Sequence, residues 1–390
     1  MIGEFPRLSR ARVSVSFIFL IHGLVVATWA SRIPYFQATL HLSPGVLGRS
    51  LMMAAIGSVL AMPAAGWLVH EFGSLRIVIV TSLGFCLALP LIAETHRVVT
   101  LSAALLFYGA MGGSMDVSMN THAVLLEKQY QRHIMSSFHA LFSLGGMAGS
   151  ALGGLVASRA ITPTWHFWIG GIGLTAMSLA AFRWLPLPAP VSNVRQQAAG
   201  KGALRWSVTL GALALLAFSI MLVEGAMADW SAIYLRTSIL TGPGLAALGY
   251  AFFSGAMAVG RLTGDYLTAK LGRAHLVRYG TLLTAAGISV SLLYGNAWCA
   301  LAGFACAGAG LATIIPNTFA AGGNIEGSAP GPSLAVITTA GYLGFLAGPP
   351  LIGFAAQLSS LRAALWVLVI LSALSAPAAG SMNRTSRLVP

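Results

Sequence analysis

The chain has 390 residues, of which 57% are hydrophobic and only 8% are charged, and its mean hydropathy is +0.81. A soluble domain carries roughly 25% charged residues, so this composition excludes a soluble globular protein and indicates one that crosses a membrane many times. The formal net charge of +13 does not indicate a nucleic-acid partner. The cations occur singly or in small groups between apolar runs, as they do in membrane loops.

Hydropathy predicts an all-α membrane protein with twelve spanning helices, each about 20 residues or longer. The stretch 186–205 is polar, rich in Pro, Ala and Gln, and lacks apolar periodicity, which predicts a cytoplasmic linker. It separates an N-terminal six-helix bundle (1–185) from a C-terminal six-helix bundle (206–390). The predicted helices lie near 13–33, 46–69, 76–94, 98–122, 134–158, 163–185, 206–232, 244–269, 275–294, 297–319, 332–357 and 361–381.

The two halves repeat a pattern of glycines and tryptophans, with offsets near half the chain length. Such repeats predict two pseudo-symmetric bundles with a binding site between them near the membrane midplane. The matched positions are Gly145, Gly149 and Gly154 with Gly344, Gly348 and Gly353, and His22 and Trp29 with Glu224 and Trp230.

The distribution of basic residues predicts the orientation. More of them lie on the side of the N-terminus, for example at Arg7, Arg12, Lys270 and Arg273, than on the opposite side. Basic loops stay in the cytoplasm, so both termini are predicted to be cytoplasmic.

Six stretches carry a resemblance to a known family. Over its full length the chain resembles the major facilitator superfamily, and within it the YbjJ-like bacterial inner-membrane proteins, relatives of the fucose permease group. The resemblance implies a multi-pass transporter of the bacterial inner membrane that works by alternating access. The stretches are GLVVATWASRIP (23–34), SMDVSMN (114–120), SSFHALFSLGGMAG (136–149), EGAMADW (224–230), AVGRLTGDYL (258–267) and AGYLGFLAGPPLIG (340–353).

The fourth predicted helix carries a carboxylate, Asp116, at membrane depth, with Asn120 one helical turn later. An acid there normally faces a protein interior or a water-filled cavity. In the fucose permease group an acid followed four positions later by Asn takes part in proton-coupled sugar uptake, which implies the same role here. That group also uses an acid on the first helix, which this chain lacks. The alternative is a structural polar cluster that locks helices together.

Two further pairs of charges are candidates. Glu224, deep in the seventh helix, is expected to contact solute, hold a proton or pair with His22. Arg32 and Asp229, near the outer ends of the first and seventh helices, are hypothesised to form a gating ion pair, the alternative being two unrelated interface charges.

Arg261 and Asp265 are one turn apart on the eighth helix and are expected to pair with each other in a structural or inner-gate cluster. Trp29 and Trp230 are candidates for an aromatic pair that bounds the cavity, or for membrane-interface tryptophans. His139, Asn317 and Tyr342 are candidate hydrogen-bonding groups for solute, or satisfied structural residues.

The sequence has no phosphate-binding loop, zinc-protease motif or nucleophile elbow, so we expect no enzyme, catalytic residue, metal or cofactor. We predict a monomeric, lipid-embedded secondary active transporter that takes up a sugar, polyol or similar small polar metabolite, in symport with protons. One alternative is a proton-driven exporter of small amphipathic compounds, because the fifth helix resembles the antiporter signature with Ser150 in place of Pro. The other is a non-transporting membrane receptor or scaffold.

Overall fold

The structure is a computed structural model that describes residues 5–131, 134–183, 185, 206–325 and 330–384; the linker predicted at 186–205 lies outside the described residues. Within these ranges all regular structure is helical, and twelve spans are long and apolar enough to cross a membrane. The helices are α1 Phe5–Ala30, α2 Ile33–Thr39, α3 Pro44–Phe72, α4 Ser74–Ala93, α5 Val98–Tyr130, α6 Met135–Ser158, α7 Pro163–Phe182, α8 Val208–Thr237, α9 Pro243–Leu271, α10 Arg273–Leu293, α11 Ala297–Leu311, α12 Ile314–Gly322, α13 Pro330–Leu358, α14 Leu361–Ala364 and α15 Trp366–Ser375, followed by a 3-10 segment, Ala376–Arg384.

Three predicted spans are broken rather than continuous. Proline explains two of the breaks, because it has no backbone N–H and cannot donate to the carbonyl four residues earlier. Pro34 follows the end of α1 at Ala30, and Pro316 follows the end of α11 at Leu311. The last span divides into α14, α15 and the 3-10 segment.

The fourth span is longer than predicted, because α5 continues past the apolar run to Tyr130. The carboxylate of Glu127 in this extension accepts hydrogen bonds from the backbone N–H groups of Ile134 and Met135, at 2.7 and 2.8 Å. The polar end of α5 therefore caps the start of α6.

The spans pack in two sets with the same order of neighbours. In the first set α3 packs on α5, α1 on α6, and α4 on both α5 and α7. In the second set α9 packs on α11, α8 on α13, and α10 on both α11 and α15. The repeat seen in the sequence is therefore a repeat of packing.

Glycines fix the register of this repeat. A Cβ atom added at Gly145 would collide with the carbonyl of Leu20, and one added at Gly344 would collide with the carbonyl of Phe218. These backbones approach closely because glycine has no side chain. The matched residues on α1 and α8 are thus 198 apart in number.

The sequence-based match of α1 with α8 is wrong by about one helical turn. It equated His22 with Glu224 and Trp29 with Trp230, at offsets of 202 and 201, whereas the packing sets the offset at 198. Shifting one helix against the other by one turn brings residues of nearly the same helix face into register. The pattern of residue types therefore looks alike in the two registers and does not distinguish them.

The two sets meet mainly along two seams, α6 with α9 and α3 with α13. Close approaches join Gly154 to Gly244 in the first seam and Gly48 to Gly353 in the second. These glycines lie near the ends of the helices on the side opposite the start of α1, which we call the distal side.

Candidate functional site

A polar cluster around Asp116 joins the two sets of spans. Its Oδ2 accepts a hydrogen bond from the hydroxyl of Tyr342 on α13 at 3.0 Å, and its Oδ1 accepts one from Asn120 Nδ2 at 2.9 Å. All three residues are half-buried. Because Tyr342 belongs to the opposite half, the Asp116 side chain points between the halves and not into lipid.

A second cluster is centred on Arg261 of α9. Its Nη2 lies 3.2 Å from Glu224 Oε1 on α8, and the two side chains are 15% and 25% exposed. Its Nη1 donates to Ser143 Oγ at 2.6 Å and to the carbonyl of His139 at 3.3 Å, both on α6. Arg261 therefore neutralises Glu224 in its own half and is hydrogen-bonded to α6 of the other half.

The expected pairing of Arg261 with Asp265 is wrong. Asp265 is exposed one turn further along α9, whereas Glu224 is half-buried on the neighbouring helix. A guanidinium removed from water gains more from a carboxylate that is also removed from water.

His22 does not pair with Glu224 either, which corrects the third role considered for that acid. The His22 ring is 8% exposed and lies between Phe85 and Phe142, at ring-centre distances of 5.1 and 5.3 Å. Its Nδ1 has no hydrogen-bond partner.

The hypothesised Arg32–Asp229 ion pair is absent. Arg32 is 4% exposed, and it donates from Nε to His166 Nδ1 at 3.1 Å and from Nη2 to the carbonyl of Ile161 at 2.9 Å. It therefore faces α7 of its own half. Asp229 makes no hydrogen bond or ion pair within the part of the chain that the structure describes.

The tryptophans do not bound an accessible cavity, which corrects that expectation. Trp29 is 3% exposed and lies 5.4 Å from the ring of Phe36, and Trp230 is fully buried. Large aromatic side chains gain most when packed in a core, and both residues belong to the buried apolar core.

Asn317 is buried and hydrogen-bonded to groups of its own half. It is 6% exposed, and its Nδ2 donates to the carbonyl of Thr313 at 2.9 Å and to Thr268 Oγ1 at 3.3 Å. These bonds tie α12 to α9 beside the break in that span. The ring of His139 packs edge-on against Phe19 at 5.3 Å, so only its backbone carbonyl takes part in the Arg261 cluster.

Sequence reasoning missed Tyr108 and Tyr250, which are 7% and 5% exposed and pack on Phe85 and Phe253 at ring-centre distances of 4.8 and 6.0 Å. Helical periodicity could have found Tyr250, because it precedes Arg261 by eleven residues, a spacing that returns to the same helix face.

A cavity of about 340 Å³ opens at the turn between α9 and α10. It contains none of the predicted site residues, and it is lined by Thr268, Gly272, Arg273, Ala274, His275, Met382 and Asn383.

Comparison with known proteins identifies the family. Residues 15–325 match the model of the Major Facilitator Superfamily. The chain belongs to this superfamily. It is therefore a membrane transporter, and its all-helical architecture of twelve spans in two six-helix bundles confirms the predicted fold.

Individual proteins match nearly the whole chain. An uncharacterised transporter of this superfamily type from Yersinia pestis is 36% identical over 381 residues, covering 96% of both chains. The membrane protein MosC of Rhizobium meliloti is 32% identical over 360 residues, covering 92% of this chain and 86% of MosC. Among solved structures, a bacterial homologue of the human lysosomal transporter Spinster, in an inward-facing and occupied conformation, has a TM-score of 0.78 at 13% identity and covers 97% of both chains.

Proposed function

We propose that this transporter takes up a small polar solute, of the sugar or polyol class, in symport with protons across the bacterial inner membrane. The bond between Asp116 and Tyr342 is the observation that carries the proposal, because it joins a carboxylate of one half to a hydroxyl of the other. In this mechanism the halves, 1–185 and 206–390, rock against each other, and the chain acts as a lipid-embedded monomer of the YbjJ-like subgroup. The stretch 186–205 is the cytoplasmic linker between them in sequence.

The position of Asp116 supports proton coupling. An ionised acid at membrane depth is costly unless it has a partner or reaches water. Tyr342 moves away when the halves separate on its side, so Asp116 then exchanges the tyrosine hydroxyl for water or solute. A carboxylate whose surroundings change with each half-cycle can bind a proton in one state and release it in the other.

Arg261 serves as the gating residue in this mechanism. It holds Glu224 in one half and Ser143 in the other, so separation of α6 from α9 leaves the ion pair intact and breaks the cross-half bonds. Arg32, Asp229 and Asp265 form no gate in this conformation. Both termini are placed in the cytoplasm, which makes the distal side periplasmic.

Proton-driven export is the second candidate. The glycine-rich stretch of α6 resembles the antiporter signature, and Ser150 stands where that signature has proline. Ser150 Oγ donates to the carbonyl of Ala247 across the seam at 2.7 Å, so this position is a contact between the halves.

Proton movement driven by solute tests the proposal. The purified chain is reconstituted into vesicles that enclose a pH-sensitive dye, and single sugars and polyols are added outside. Symport predicts acidification of the lumen, and exchange of solute for protons predicts alkalinisation. The sign does not depend on how the protein is oriented in the vesicle. A solute that stabilises the protein against heating and enters without moving protons, or does not enter at all, contradicts the proposal.

A further inference from the structure

The cavity at the turn between α9 and α10 is separate from the clusters around Asp116 and Arg261. The start of α9 is on the distal side, so this turn is on the side where α1 begins. The cavity volume of about 340 Å³ is within the range of about 300–1,000 Å³ that is usual for small-ligand pockets. Arg273 and His275 line it from the turn, and Met382 and Asn383 line it from the 3-10 segment.

The surroundings of this cavity carry positive charge without an acid to offset it. No lining residue is an aspartate or a glutamate. Arg278 lies beside the same 3-10 segment, because a Cβ atom added at Gly380 would be 3.7 Å from its Nη2. The side chains of Arg273 and Arg278 are exposed, and within the described part of the chain neither makes a hydrogen bond or an ion pair. Two guanidinium groups, which match the geometry of phosphate oxygens, are therefore available to an anion.

The equivalent turn of the first half does not share this charge. Gly73, between α3 and α4, and Gly272, between α9 and α10, have nearly the same backbone angles, with φ of 85° and 77°. The first turn carries Glu71 and Arg76, which are both exposed and have opposite charges. The positive charge is therefore a property of the second turn and is not required by the shape of the backbone.

Two exposed tyrosines mark the depth of the cavity in the membrane. Tyr266 on α9 and Tyr279 on α10 are both exposed, and tyrosines are enriched where hydrocarbon meets the polar headgroups. They are six and seven residues from Gly272, so the turn lies about 9–10 Å further out along the helices. The cavity is therefore at the level of the lipid headgroups.

Exposed apolar side chains continue from the tyrosines toward the middle of the membrane. They are those of Leu262 on α9 and of Leu282 and Leu283 on α10. A ligand with acyl chains can place them on this surface while its charged group reaches the cavity, whereas a free anion makes no use of it. Basic pockets between membrane-spanning helices on the cytoplasmic side bind anionic headgroups, which favours a lipid as the occupant.

We propose that this cavity binds the phosphate group of an anionic phospholipid, with Arg273 and Arg278 as the phosphate-binding side chains. The inference is independent of the proposed function, because it involves neither the solute nor Asp116. Lys270 is not assigned to the site, since its ammonium group lies over the ring of Tyr266, 5.9 Å from the ring centre.

Lipid titration of the full-length protein in a neutral detergent tests the site. Apparent dissociation constants are measured from thermal stabilisation by phosphatidylglycerol and by phosphatidylcholine with the same acyl chains. We expect tighter binding of phosphatidylglycerol. Each arginine removed should weaken that binding about fivefold, so Arg273→Gln/Arg278→Gln should weaken it about thirtyfold. The control, Arg10→Gln/Arg76→Gln, removes the same charge from exposed positions of the first half on the same side and should leave it nearly unchanged.

Four results would overturn the assignment. The wild-type protein binds the two lipids equally, or a folded Arg273→Gln/Arg278→Gln protein keeps its preference for phosphatidylglycerol. The third is that both double variants weaken binding equally, which indicates general attraction to positive charge. The fourth is that inorganic phosphate, compared with chloride at the same ionic strength, stabilises the protein as much as the lipid does. All four are measured without solute, so they leave the proposed symport untouched.

Discussion

The two seams between the halves occupy equivalent places in the repeat but differ in chemistry. In the α6–α9 seam, Ser150 donates to a backbone carbonyl at 2.7 Å and Arg261 donates to Ser143 at 2.6 Å. In the α3–α13 seam, the distal contact is a close approach of Gly48 to Gly353 and to the carbonyl of Pro349. The first seam has buried side-chain hydrogen bonds in addition to the approach of Gly154 to Gly244. The second is held at its distal end by the fit of two backbones, with an exposed contact between Ser43 and Gln357 beside it.

This difference in bonding between the seams indicates which of them separates first when the halves move apart. Opening a seam exchanges each buried hydrogen bond for bonds to water at a net cost of about 0.5–1.5 kcal/mol, whereas a backbone contact loses only dispersion. We therefore expect the α3–α13 seam to separate first on the distal side, with the α6–α9 seam acting as the pivot. Repeat-equivalent positions support this contrast, because proline replaces Ser150 at position 349 and cannot donate a hydrogen bond.

The largest loss of stability should come from removing Arg261, which is bonded to both sides of the α6–α9 seam. Arg261→Ala leaves Glu224 without its cation and removes two bonds to α6. We expect a loss of about 2–3 kcal/mol, below the cost of breaking a sealed pair because Glu224 keeps 25% exposure. Thermal unfolding in detergent measures it, with Lys270→Ala, an exposed cation of the same helix, as the control. Equal losses of stability in the two variants would contradict the assignment of the pivot to this seam.

A smaller effect is expected from the backbone contact of the α3–α13 seam. Gly48→Ala places a Cβ atom 2.6 Å from the carbonyl oxygen of Pro349, and overpacking of this kind costs about 1–2 kcal/mol. The strain acts only while the seam is closed, so the distal side should open. Spin labels at Thr39 and Ser359 in a cysteine-free background should report a longer distance. Gly66→Ala on the same helix, where the added atom meets nothing within 4 Å, should leave the distance unchanged.

The smallest losses of stability are expected from single polar contacts between the halves, and they should be larger for a buried contact than for an exposed one. Ser150→Ala removes a fully buried bond across the α6–α9 seam and should cost about 1 kcal/mol. Gln357→Ala removes an exposed contact to Ser43 at 3.4 Å and should cost less than about 0.5 kcal/mol. Melting temperatures in one detergent compare the two variants. A larger loss for Gln357→Ala would reverse the contrast between the seams.

The spans were predictable from the sequence because hydropathy is local. The predicted limits 76–94 and 134–158 nearly coincide with α4 and α6. The extension of α5 was missed because its last residues are polar and lie beyond the apolar run that sets the prediction. The breaks at Pro34 and Pro316 were not predicted by hydropathy, which does not register the missing backbone N–H of proline.

Within the site, only contacts between residues of the same helix could be predicted from the sequence. The contact of Asn120 with Asp116 follows from their separation of four residues. The contacts of Asp116 with Tyr342 and of Arg261 with Glu224 join helices far apart in the chain, and no spacing rule fixes such partners. The register of α1 against α8 failed for the same reason, since it depends on which carbonyl Gly145 and Gly344 approach.

The most direct test of the central claim is proton movement driven by solute in vesicles that contain Asp116→Asn. Asparagine keeps the size of the side chain and an acceptor for Tyr342 but holds no exchangeable acidic proton. We predict that the bound solute still enters and that acidification of the lumen is lost, while Glu71→Gln retains both. Unchanged acidification in a folded Asp116→Asn protein would contradict the account.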